Sequence, residues 1–187
     1  MSRSNFLAHA KQIGLGDGKR LFTDDHIELT LVYDLAVYTA KRGQTRAIDR
    51  YARLLSHAAE SDEALVLAAL CASRFSLFRV IERSELAGVL FEDLMRGGET
   101  WLVDEGLEQS ANLGEIFAMR VAPIDAFVVT CGAVVPIDAE TGGELVGLLA
   151  GGGTEVELAA LADNPRFAAS IYKLAVELEL MSRVTYL

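Results

Sequence analysis

The 187-residue chain has two cysteines, three histidines, three prolines and one tryptophan. Each shortage excludes something. Cys71 and Cys131 lie in separate apolar stretches with no partner at metal-type spacing, so neither an exported disulfide framework nor a cysteine zinc site is readable. They read as small buried side chains, with the cytoplasm as the default compartment. His9, His26 and His57 are scattered, with no His-x-x-x-His or His-Glu-x-x-His spacing to converge on a metal. No metal and no cofactor is therefore expected. The longest apolar run, Ala126 to Ile137, is too short to span a bilayer as a helix, and Met1 to Leu15 contains Arg3, His9 and Lys11 in place of a continuous apolar leader. No membrane partner is expected.

What is present is apolar. Half the residues are hydrophobic and about a quarter are charged, enough to bury a sizeable core against chain entropy. Net charge is −10 and unevenly distributed. Residues 1–56 hold nine Lys/Arg and six Asp/Glu, a net +3, and the rest hold eight and 21, a net −13. An acidic chain repels polyphosphate at long range, which counts against nucleic acid as a general partner.

Hydrophobic periodicity divides the chain in three. Residues 1–74 read as helices: Asn5 to Ile13, Asp24 to Lys41 capped by Thr23, Arg46 to Ala59 capped by Thr45, and Asp62 to Ser73 capped by Ser61. From Phe75 the pattern changes to short strands with turn punctuation, at 75–82, 88–94, 99–104, 114–121 and 127–135, with Gly97-Gly98 as a tight turn. Gly106 to Leu113 reads as a loop or a single helical turn. Pro136 closes this region, and helices resume over Ala139–Leu149, Glu155–Ala162 and Pro165–Met181, with Gly151-Gly152-Gly153 as a flexible joint. The expected fold is α+β: helical terminal regions around a small five-stranded antiparallel sheet or an SH3-like or OB-like barrel. The expected organisation is one domain over 1–187, with sub-regions 1–74, 75–137 and 138–187.

Motifs that specify chemistry are faint. Gly14-x-Gly16-x-Gly18-Lys19 lacks the spacing, the preceding strand and the Ser/Thr after lysine that a phosphate loop needs, and reads as a turn. No Gly-x-Ser-x-Gly elbow exists, and Cys131 has no readable activating base. Glu92, Asp93 and Asp104 sit at strand ends, where two carboxylates could share acid–base work in a hydrolase-like enzyme; the simpler reading is a solvated face with charged edges. Arg42, Arg46, Arg50 and Arg53 recur at helical spacing and form one basic face. That face suits an acidic protein partner, this chain's own acidic half or a second copy; nucleic acid is the third option, weakened because Tyr51, the one nearby aromatic, falls on the opposite side.

Leu90-Phe91-Glu92-Asp93-Leu94, Gly97 to Asp104 and Ala118-Met119-Arg120-Val121 resemble a strand-rich module of uncharacterised bacterial proteins, some relatives of which carry SEC-C-type zinc motifs. The resemblance covers residues 75–137. The zinc-binding cysteines are missing here, so it implies no metal role. The resulting expectation is a non-enzymatic binding or scaffolding protein, as a homodimer or with an acidic partner.

Overall fold

A computed structural model describes residues 2–40, 43–55, 61–84 and 87–183. Four helices come first: α1 (Arg3–Gln12), α2 (His26–Tyr38), α3 (Ala47–Leu54) and α4 (Asp62–Cys71). Five strands follow, β1 (Arg74–Arg83), β2 (Val89–Asp93), β3 (Glu99–Leu102), β4 (Ile116–Ile124) and β5 (Phe127–Ile137), with α5 (Glu105–Ser110) between β3 and β4. The chain ends in α6 (Ala139–Gly152), α7 (Glu155–Ala162), α8 (Pro165–Glu177) and a 3₁₀ turn, Leu180–Arg183.

The strands close into a barrel in the order β1-β2-β3-β5-β4. That order, with a helix between the third and fourth strands, is of the OB type. The expected antiparallel sheet is corrected in one respect: β3 meets β5 in parallel, through Leu102 beside Val128, and this contact shuts the barrel.

The alternation of side chains along each strand builds two cores. Phe78, Val80, Phe91, Leu102, Phe117 and Met119 fill the barrel, with Phe91 edge-on to both Phe78 and Phe117. Residues of opposite parity, including Phe75, Leu77, Ala118 and Val135, face outward yet are equally buried, because α1, α2 and α8 cover that side with Ile13, Leu35 and Tyr172. Strand β4 is therefore buried on both faces over Ile116–Ala122.

Helix boundaries show which signals competed. Asp25, rather than Thr23, caps α2, accepting from Ile27 N at 2.8 Å, while Thr23 accepts from Asp25 N. Ser61, Thr154 and Asn164 cap as their sequence positions predict, Thr154 through a full capping box with Glu157. Helix α3 opens at Arg46 without a side-chain cap. Gly151 and Gly152 finish α6 instead of forming a joint. The β2–β3 connection is longer than the Gly97-Gly98 pair: Asp93 N bonds Gly98 O and Gly97 N bonds Asp93 O, and both glycines take positive φ. Pro136 lies within β5, opposite Phe117, and does not end it.

Replacing Phe91 with alanine removes the ring that joins two aromatic contacts at the barrel centre. The expected loss is about 3–5 kcal/mol, measured as a lower urea midpoint with an unchanged slope.

Candidate functional site

The most chemically distinctive place in the molecule lies where α2 crosses β4 and β5. The β4–β5 register shifts between Met119, paired with Val134, and Val121, paired with Thr130. Cys131, Gly132 and Ala133 thus stand opposite Arg120 alone. Such a bulge bends the strand and re-aims side chains. Here it sends Arg120 outward beneath α2, where Nε donates to Asp34 Oδ1 at 2.8 Å and Nη2 to Oδ2 at 3.1 Å. Both residues are buried. The guanidinium lies 4.6 Å from the Tyr38 ring centre and 5.8 Å from that of Phe75, so a cation is held between π-faces with a carboxylate at its edge.

The surroundings fit this pair. Gly132 leaves room for Asp34: a Cβ there would collide with Oδ1. The bulge frees the Cys131 carbonyl, and the Tyr38 hydroxyl donates to it at 3.1 Å. Tyr172 of α8 is fully buried beside Asp34.

The titration directions describe a closed site. Burial works against the Arg120 charge, but Asp34 outweighs it and holds the guanidinium above its ordinary value. Burial pushes the Tyr38, Tyr172 and Cys131 groups upward as well. Tyr38, Tyr172 and the Cys131 thiol are thus neutral groups packed around a paired guanidinium. A shallow cleft of about 350 Å³ opens beside this cluster, past Tyr33 and Thr130. The arrangement is a structural clamp.

The carboxylates singled out in the sequence are each occupied. Glu92 accepts from Arg79 Nε at 2.9 Å. Asp93 is buried, accepting from Ser76 Oγ and from the amides of Met95 and Arg96 at 3.1 Å, with Arg74 Nε 3.6 Å away; it pins the β2–β3 connection. Asp104 caps α5 through Leu107 N and accepts from Thr130 Oγ1. Adjacent strand residues point to opposite faces, so Glu92 and Asp93 do not converge.

The arginine face is likewise divided. Arg42 lies outside the described residues, as do Lys41 and His57. Arg46 forms a two-point pair with Asp49 at 2.7 and 2.8 Å and also donates to Cys71 O at 2.6 Å, tying α3 to α4. The pKa of Arg46 is raised and that of Asp49 lowered, each chiefly through their shared hydrogen bonds. Arg50 donates to Thr45 O, and Arg50 and Arg53 remain exposed. The Gly14–Gly18 turn directs its amides inward, with Lys19 N and Arg20 N bonding Asp17 Oδ1 at 2.7 and 2.8 Å. Among the described residues no group of three His, Cys, Asp or Glu side chains is placed to hold a metal ion, and no helix is long and apolar enough to cross a membrane.

A second feature is a groove of about 1030 Å³ between α6 and the end of the barrel, with walls from β4, β5 and α5. Periodicity gave no sign of either feature. The clamp did leave a trace: Asp34 and Arg120 are lone charges of opposite sign, each inside an apolar segment.

Removing one partner strands a buried charge. Asp34→Leu and Arg120→Met are each expected to lower unfolding free energy by about 3–5 kcal/mol, and the double variant Asp34→Leu with Arg120→Met by much less than their sum. Urea denaturation of the three variants measures the difference.

No curated protein and no solved structure matches the chain. A family of unknown function, DUF7986, matches residues 1–146, from α1 through the whole barrel into α6. The chain belongs to that family.

Proposed function

We propose that this chain is a non-enzymatic, single-domain binding protein of the cytoplasm that acts as a homodimer. The observation that carries this reading is a set of exposed apolar side chains on α3 and α4, two helices tied together by Arg46. Tyr51 and Leu54 are 56% and 82% exposed, and Leu65 and Val66 are 49% and 45% exposed. In α4, an almost wholly apolar helix, Ala69 alone is buried among the described residues. Exposed apolar clusters rimmed by charge mark interaction surfaces.

The rim supports a second copy as the occupant. Arg50 and Arg53 flank the patch on α3, and Asp62 and Glu63 open α4. A two-fold axis brings the basic edge of one copy against the acidic edge of the other, the self-complementarity that an isologous interface requires. Arg46, Arg50 and Arg53 then divide by role: Arg46 ties α3 to α4, and Arg50 and Arg53 meet the acidic edge of the second copy. The free thiols of Cys71 and Cys131 fit a reducing compartment. The residues that resemble the bacterial strand-rich module form the barrel on which this helical pair is mounted.

Light scattering at micromolar concentration is expected to give twice the 20.2 kDa chain mass. Leu54→Glu with Leu65→Glu is expected to give the single-chain mass with unchanged far-UV circular dichroism. A wild-type protein of single-chain mass at that concentration refutes the reading.

A further inference from the structure

The groove between α6 and the barrel belongs neither to the clamp nor to the α3–α4 patch. Its floor is apolar, formed by Ile116 and Phe117 of β4, Val134 and Pro136 of β5, Leu107 of α5 and Val146 of α6. Its volume, about 1030 Å³, is at the upper end for sites that take small organic molecules, and barrel mouths are among the places where such sites occur.

Two observations set the groove apart from a packing fault. The first is the glycine content of α6. Gly142 and Gly143 line the groove in the first half of a 14-residue helix, where each glycine costs about 1 kcal/mol relative to alanine. A Cβ at Gly142 would come within 3.2 Å of Ile116 Cδ1, so this glycine lets the helix approach β4. A Cβ at Gly143 would meet nothing within 4 Å. No packing demand requires glycine at 143, and the space beside it stays open.

The second is the charge around the rim. Three ionisable side chains line the groove: Arg79, Glu115 and Asp138. Arg79 is already paired with Glu92. Glu115 is held by Asn112, whose N and Nδ2 donate to its two oxygens at 2.9 and 2.8 Å. Asp138 is held as the N-cap of α6, with Thr141 N and Oγ1 each at 2.9 Å. These donors fix both carboxylates in place. The rim thus carries two carboxylates and one guanidinium already paired with Glu92 above an apolar floor, and low-dielectric walls strengthen attraction between a carboxylate and a positive group.

We infer that the groove is a binding site for a small cationic amphiphile: an apolar ring or chain lying on Phe117, Val134 and Pro136, with a protonated amine between Glu115 and Asp138. An anionic amphiphile meets the same walls but two opposing carboxylates.

The test uses the full-length protein and two fluorescent probes of opposite charge, dansylcadaverine and 1-anilinonaphthalene-8-sulfonate. Dansylcadaverine is expected to bind saturably with a blue-shifted emission, and to bind at least about tenfold more weakly to Gly143→Leu, which adds a side chain at a residue that lines the groove. Leucine is also the better helix former at that position, so an unchanged or raised melting temperature separates blockage from misfolding. Glu115→Gln is expected to weaken dansylcadaverine and strengthen the sulfonate. Leu54→Glu with Leu65→Glu is expected to leave probe binding intact, which separates this site from the proposed dimer surface. The inference is overturned if dansylcadaverine shows no saturation, if Gly143→Leu binds it as well as wild type does, if the sulfonate binds more tightly to wild type, or if probe binding disappears with the α3–α4 patch.

Discussion

Packing in this molecule is organised by one buried ion pair. Asp34 lies on α2 and Arg120 on β4, and their two-point contact sets where the helical layer crosses the barrel. Apolar packing alone tolerates sliding, because it is non-directional. A paired guanidinium between two aromatic rings does not, since any displacement exposes a desolvated charge. The pair therefore contributes register more than net stability. The β5 bulge, the absent Cβ at Gly132 and the Tyr38 hydroxyl on the Cys131 carbonyl all serve that one contact.

The fold class could be read from the sequence because two periodicities separate cleanly. Apolar residues recur at helical spacing in α2 and α8, while short apolar runs with turn punctuation mark the stretch from Phe75, so the α–β–α order and the five strands are legible. Closure into a barrel is not, because pairing Leu102 with Val128 is a long-range event with no local mark. The two-core arrangement is also hidden. A strand buried on both faces reads as a continuous apolar run, and Ile116 to Ala122 gives no sign of which parity faces inward. The error at α2 came from three adjacent capping residues, Thr23, Asp24 and Asp25, any of which could start a helix.

Less of the candidate sites was legible. Helical spacing suggests one arginine face, yet Arg46, the residue that opens α3, turns inward to Asp49 and Cys71 because those acceptors come from its own helix turn and from the end of α4. Asp93 and Asp104 look like available acids in sequence and prove to be fasteners for turns. The groove depends on what α6 lacks, and a run of small residues in sequence does not show whether its neighbour fills the space. Asp34 and Arg120 were visible as isolated charges, but matching them needs a contact across 86 positions.

The single parallel contact that closes the barrel orders events during folding. The β1–β2–β3 meander and the β4–β5 hairpin are each local and can form early. Joining them requires β1 to find β4 and Leu102 to find Val128, which closes loops of several tens of residues and carries their entropic penalty. The outer face on which α2 settles is built by β1, β4 and β5, so drying of the Arg120 guanidinium requires the long-range β1–β4 pairing and the helical layer together.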